Sequence, residues 1–270
     1  MSRVEVKKTY KLFINGAFPR SESGRVFEVK NSKGQFIANP ALASRKDLRD
    51  SVVAARAAFP KWSGSTAYLR GQIIYRIAEM LEGRRDQFEA ELKSIGDKSK
   101  IDDVIDLIVW YAGWSDKLSA LNGVTNPVSG PFYNFTTPEA LGVVGIISKP
   151  DFLNFIDSLM SVIVSGNSSV IVAPGALAVP AMSFAEVLAT SDLPAGVANI
   201  LTGKVDELAP WMASHMDIDG LDTSGAKKTS ELKKSGAENL KRIHEFSQVK
   251  HPARILAFME AKTVWHTIGI

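Results

Sequence analysis

The sequence predicts an α/β protein, a doubly wound parallel sheet carrying a small β arm, and three observations predict it. From residue 142, apolar runs of strand length alternate with helical patterns. GVVGIIS leads to FLNFIDSLMSVIV, SSVIVAP to PAMSFAEVLATS, GVANILTG to VDELAPWMASH, and DIDGLDTSG to a short polar helix and NLKRIHEF. Continuous apolar strands are buried on both faces, so they belong to a parallel sheet with right-handed crossovers. Second, PVSGPFYNFTTPEALG breaks the helical text that precedes the sheet. Its Phe132, Asn134 and Thr136 alternate with Tyr133 and Phe135 between prolines, the pattern of an extended segment leaving the body. Third, the chain closes on an apolar strand with Val264, Trp265, Ile268 and Ile270, which aggregates unless it is paired.

The elements before the sheet follow in order. KLFINGAFP and RVFEVKN read as two strands flanking the turn SESG, where Gly24 supplies the backbone freedom of a tight reversal. From Ser44 the period becomes helical: Ser44 is the N-cap, Asp47 stands in the first turn, and Leu48, Val52, Ala55 and Phe59 share a face. Pro60 is expected to end that helix. TAYLRGQIIYRIAEMLEGRRDQFEAELKSIG gives one or two amphipathic helices with Leu69, Ile73, Ile77 and Leu81 on one face. IDDVIDLIVWYAGWSDKLSALNG adds another, whose Trp110, Tyr111 and Trp114 are assigned to core filling rather than to a ligand box.

Composition excludes several function classes. At 270 residues, 45% hydrophobic and 23% charged, the chain can bury a core as one large domain or two small ones. Thirty-two basic and twenty-nine acidic residues leave a charge of +3 without a lysine–arginine run, which argues against nucleic acid. MSRVEVKKTYKLFING lacks the apolar run of a signal peptide, and no stretch reaches the ~18 apolar residues of a membrane span, so the cytoplasm is the expected location. There is no cysteine, which removes disulfides, thiolate metal sites and every cysteine nucleophile. His215, His244, His251 and His266 lack ligand spacing, and no metal is expected. Nor does GKVDELAP have the spacing of a phosphate loop.

Ligands of a doubly wound sheet sit at the carboxyl ends of its strands. The informative turns are therefore 148–152, 173–176, 203–205 and 223–227.

LFINGAF, ASRKDLRDSVVAARAAFPKWS, IIYRIAEMLEGRRDQF, PFYNFTTPEALGVVGIIS, SGNSSVIVAP and above all LPAGVANILTG, in this order, resemble the coenzyme-binding half of the aldehyde dehydrogenase superfamily. RILAFMEAKTVWHTIGI resembles the opposite end of the family sequence, where a terminal strand joins the oligomerisation arm. The resemblance covers nearly all of this chain and about half of the family, and the catalytic domain with its cysteine has no counterpart between Phe246 and the tail. It implies a Rossmann-like coenzyme-type domain over 1–250, interrupted by an oligomerisation arm at 125–141, with a short helix and terminal strand over 251–270 completing that arm.

The resemblance also implies where functional groups should stand. The family turn after the first sheet strand reads proline, tryptophan, asparagine, phenylalanine, and its asparagine donates to a developing oxyanion. Ser148 is followed here by Lys149, Pro150, Asp151 and Phe152. An ionised Asp151 has no hydrogen to donate and repels the charge; only a protonated one could donate. The lysine, proline, serine and glutamate of the next turn are Ala173, Pro174, Gly175 and Ala176, without partners for a ribose. TSGAKKTS keeps Gly225 of the pyrophosphate turn but has Ala226 and Lys227 for the serine and threonine, and Ser230 for the second glycine. Ile243, His244, Glu245 and Phe246 do not reproduce the general-base turn, although Glu245 is one position away and a shift remains open.

Ser148, Pro150, Ala173, Pro174 and Gly225 are thus vestigial coenzyme positions, and Asp151 a degenerate oxyanion position. With ATSDLPAGVANILTG, HMDIDG and SGAENLKR, the pattern is similar to the non-catalytic second aldehyde dehydrogenase-like domain of two-domain family members. The expectation is a pseudoenzyme, without cofactor, whose role in an oligomer is structural or regulatory. Phe132, Tyr133, Phe135, Val264 and Trp265 would form its interface with a second copy or with a catalytic aldehyde dehydrogenase. A tail strand tucked into the molecule's own core is the alternative for the tail. The alternative function is an NAD(P)-dependent aldehyde oxidoreductase subunit that contributes a dinucleotide-binding site.

Overall fold

The computed structural model describes residue 4 and residues 6–269, so that Ile270 of the tail lies outside the described residues. Near the start, β1 (Val29–Lys30) pairs antiparallel with β2 (Phe36–Ala38). This corrects the expected pairing of KLFINGAFP with RVFEVKN. The first segment instead turns on itself through Asn15 and Gly16, both at positive φ, with the Ile14 amide donating to Ala17 O at 3.0 Å. Phe13 then forms an antiparallel bridge with Ile200. Alternation identifies residues that favour extended backbone, but not the strand they will meet. The turn at Gly24 does form, at φ 67°, with its amide on Ser21 O.

Four helices follow, α1 (Arg45–Ser63), α2 (Ala67–Glu82), α3 (Arg85–Ile95) and α4 (Ile101–Trp114), then the short α5 (Leu118–Asn122). Ser44 caps α1 in a reciprocal capping box with Asp47. The helix does not stop at Pro60. A proline in the last turn forgoes one amide bond, while Trp62 beyond it is fully buried and donates from Nε1 to Ile163 O at 2.9 Å. Ile73, Ile77 and Leu81 are buried, but Leu69, one turn earlier, is 44% exposed. Tyr111 is buried, and Trp110 and Trp114 pack against the same core.

The arm is a three-stranded antiparallel sheet of β3 (Val124–Asn126), β4 (Phe132–Ala140) and β10 (Met259–Thr267), with β4 in the middle. Between β4 and β10 in the chain lies the main body: β5 (Val143–Ile147), α6 (Phe152–Val164), β6 (Ser168–Pro174), α7 (Ala178–Ala189), β7 (Ala198–Gly203), α8 (Val205–Ser214), β8 (Gly220–Asp222), α9 (Thr229–Gly236), β9 (Arg242–His244) and α10 (Pro252–Leu256). All neighbours in the order β7-β6-β5-β8-β9 are parallel. The predicted doubly wound α/β fold is the observed one, and β9, within NLKRIHEF, supplies the fifth strand.

Strand alternation divides the sheet's side chains between two cores. Ile146, Ile171 and Ile200 pack with α6, α7 and the α2–α4 layer, whereas Val143, Val170, Val172 and Leu221 pack with α1, α8 and α9. Among the described residues no helix is long and apolar enough to cross a membrane.

Candidate functional site

From β5 the chain winds outward to β6 and β7, then returns to lay β8 on the other side of β5. The strand order reverses there, so the crevice beyond the carboxyl ends of β5 and β8 is where such a sheet offers a ligand site. The turns after β5, β6, β8 and β9 border it.

The turn after β5 presents the N-terminus of α6, whose first amides have no partner within the helix and would suit an anion. They are already engaged. Phe152 N donates to Asp97 Oδ2 at 2.7 Å, Leu153 N to Ser99 Oγ at 3.0 Å, and Asn154 N to Asp151 Oδ1 at 2.9 Å. Asp151 is therefore the N-cap of α6, and the Asn154 side-chain amide donates to both its oxygens at 3.0 and 3.1 Å. Two carboxylates and a hydroxyl occupy the position of an incoming negative charge, and the helix dipole favours them there. Ser148 is buried and spends its hydroxyl on Lys149 O at 2.7 Å, while Pro150 is exposed.

After β6, Ala173 is buried and Pro174 leads into a single 3-10 turn, Gly175–Leu177. Neither Ala173, Pro174, Gly175 nor Ala176 carries a side-chain donor or acceptor. After β8, the Gly225 amide donates to Ile147 O at 2.8 Å, and a Cβ at Gly225 would stand 2.0 Å from Ser148 O. This glycine lets the loop lie against β5, across the reversal point. Beyond it Lys228 is the N-cap of α9 but makes no side-chain cap hydrogen bond, and a cleft of about 340 Å³ separates α8 from α9 between Ala209, Pro210, Ala226 and Leu232. After β9, His244 stacks on Phe246 and meets Phe258 edge-on. Glu245 is exposed and makes no hydrogen bond or ion pair among the described residues.

The closure is completed from the C-terminal segment. Arg254 of α10 is 1% exposed; its Nη1 lies 2.8 Å from Asp157 Oδ2 and its Nη2 2.9 Å from Asp222 Oδ2, at the end of β8. Nη2 also donates to Ser158 Oγ at 2.6 Å, and the guanidinium sits 4.5 Å from the Phe246 ring centroid. Asp157 Oδ1 accepts from Tyr111 Oη at 2.8 Å and from Lys250 N at 2.9 Å. Burial pushes the Asp157 carboxyl upward and the Arg254 guanidinium pulls it back, while burial carries the Tyr111 phenol well above its ordinary value. The sequence did hold a signal for this network: Asp157 is a lone charge within the apolar FLNFIDSLMSVIV, and a buried charge requires a partner. No pattern pointed to Arg254, Asp97 or Ser99.

The five arm residues singled out in the sequence come together on β4 and β10. Phe132 and Trp265 lie 5.7 Å apart, Tyr133 and Phe135 5.4 Å, and Val264 is the direct partner of Phe135. No cluster of potential metal ligands occurs among the described residues.

The profile of the Aldehyde dehydrogenase family matches residues 18–266. The chain belongs to the aldehyde dehydrogenase family. It is 32% identical to retinal dehydrogenase 2 of Mus musculus over 255 residues, 89% of this chain and 48% of that one. Cytosolic aldehyde dehydrogenase 1 of Elephantulus edwardii is 30% identical over 275 residues, 95% of this chain and 54% of its own length. The NAD+ complex of the Bacillus cereus aldehyde dehydrogenase superposes with a TM-score of 0.79 at 25% identity, covering 90% of this chain and 53% of that one. The chain thus spans about half the length of the relatives it matches.

Proposed function

We propose that the chain is a catalytically incomplete aldehyde dehydrogenase whose role is structural or regulatory within an oligomer, formed with a second copy or with a full-length family member. The observation that carries this reading is the arm. β10 pairs with β4 over nine residues, from Met259 with Ala140 to Thr267 with Phe132, and among the described residues no strand lies along its other edge. Phe132, Tyr133 and Trp265 on these strands are 37%, 46% and 60% exposed. A long edge strand with exposed aromatics on its sheet is a template for a further strand or surface. From Glu260 to Thr267 the tail strand lies on the arm.

The chemistry of the remaining sites supports the incomplete half of the reading. A chain with no cysteine cannot form the thiohemiacetal of a cysteine-dependent aldehyde oxidation. For a dinucleotide, the 173–176 turn offers a ribose no side-chain partner, and the 223–227 turn has Ala226 and Lys227 where the resemblance implies a serine and a threonine. These losses support the reading that the coenzyme is not held. The competing reading, an NAD(P)-dependent oxidoreductase subunit lending a dinucleotide site, rests on the α8–α9 cleft with Lys227 and Lys228 at its border. Calorimetric titration with NAD and NADP separates the two, since coenzyme binding would defeat the first.

Light scattering on the intact chain, on one ending before Lys262 and on Trp265→Glu tests the assembly. The intact chain, alone or with a full-length aldehyde dehydrogenase, is expected to give a mass above the monomer that both variants lose. Equal monomeric masses for all three, and no complex in the mixture, would remove the proposal.

A further inference from the structure

A second concavity lies away from the strand-end turns, between the first turns of α1 and the end of α8. Its volume is about 710 Å³, within the size range of small-molecule sites. Buried Leu48 forms part of its wall, with Trp211 and Met216, which are 40% and 71% exposed. Arg45 lies over the indole of Trp211, its guanidinium carbon 3.7 Å from the ring centroid. Stacking uses the π face of a guanidinium and leaves its five N–H bonds free in the plane.

Among the described residues, charge around this cleft is paired with one exception. Lys46 Nζ lies 3.6 Å from Glu22, and Arg49 is 2.8 Å from Asp50. The buried Asp47 carboxylate accepts from Ser21 Oγ at 2.8 Å, Glu22 N at 3.0 Å and Ser44 N at 2.7 Å. Arg45 donates to no acceptor and meets no carboxylate among the described residues. His215 at the border accepts the Asp217 amide on Nδ1 at 3.2 Å, which leaves Nε2 to carry the hydrogen of the neutral ring. One oriented, unpaired guanidinium beside an apolar wall matches a ligand with one negative charge and a flat apolar body. A phosphate dianion would need a second free cation, and Lys46 and Arg49 are already matched.

We propose that this cleft binds a small aromatic monocarboxylate, its carboxylate bidentate on Arg45 and its ring against Trp211 and Met216. The site is independent of the strand-end turns, and none of its lining residues belongs to them.

Calorimetry on the full chain with benzoate tests the proposal, with benzamide as the neutral isostere and inorganic phosphate as the anion without a ring. Benzoate should bind, with benzamide and phosphate at least about tenfold weaker, the scale of a charge-assisted hydrogen-bond pair. Arg45→Gln and Trp211→Leu should each weaken benzoate by a similar factor. Arg45 is exposed, and an unchanged thermal midpoint for Arg45→Gln shows that its fold is intact. No benzoate binding at millimolar concentration, binding unchanged in Arg45→Gln, or phosphate binding as tightly as benzoate would each overturn the proposal.

Discussion

Arg254 Nη1 and Asp157 Oδ2 meet at 2.8 Å with both side chains almost wholly excluded from solvent, at 1% and 0% exposure. The pair fastens α10 to α6, and through Asp222 the same guanidinium reaches the end of β8. Removing one member of a buried pair leaves an unmatched charge, which typically costs about 3–5 kcal/mol. Arg254→Ala should lower the stability of the chain by that amount in urea unfolding. Replacing all three charges, as Arg254→Met with Asp157→Leu and Asp222→Asn, should cost much less, because no isolated charge then remains. Equal losses in the single and triple variants would show that the contact is packing alone.

Asp151 serves α6 as its N-cap, and asparagine caps nearly as well as aspartate. Asp151→Asn should therefore leave the thermal midpoint almost unchanged, while Asp151→Ala costs about 1 kcal/mol. Neither variant should oxidise an aldehyde in an NAD-coupled absorbance assay, since the chain has no cysteine.

Gly225 is held by close approach to backbone. A methyl group there would meet Ser148 O at 2.0 Å, which the loop can relieve only by withdrawing from β5. Gly225→Ala should destabilise by roughly 1–3 kcal/mol, the range of overpacked sites, measured by chemical unfolding. A neutral outcome would mean that the 223–225 loop has room to move.

Lys241 is 8% exposed and donates from Nζ to the carbonyls of His215 and Ile218. Burial pushes its pKa down to about 8 from 10.5. The folded state thus binds this proton less tightly than the unfolded chain, so folding is penalised at pH below 8 and the penalty is lifted as pH rises towards 10.5. Relative to Lys241→Met, the chain should gain stability between pH 8 and 10. Parallel pH profiles for the two would show that the ammonium is as well accommodated as in water.

The sheet was legible in the sequence because burial on both faces of a parallel strand requires continuous apolar text, as in GVVGIIS and SSVIVAP. Ser44 as a cap was equally legible, since capping is settled within four residues. The closure of the strand-end crevice was not. Asp97 stands 55 residues from Phe152, whose amide it takes, and Ser99 stands 54 from Leu153. For Asp151 the sequence offered only the resemblance, which implies a donor at that position, while the contact with Asn154 shows that it caps α6.

The sequence by itself determined the doubly wound sheet, the arm segment and the absence of a thiol, because periodicity and residue identity are local properties. Tertiary structure alone decided that the α6 amides meet the chain's own acceptors, that Arg254 reaches the end of β8, and that Arg45 meets no carboxylate among the described residues. Each of these depends on which distant groups meet once the chain has folded. Burial then makes an unmatched donor or charge costly, so the pairing itself, rather than any motif, sets what the site can bind.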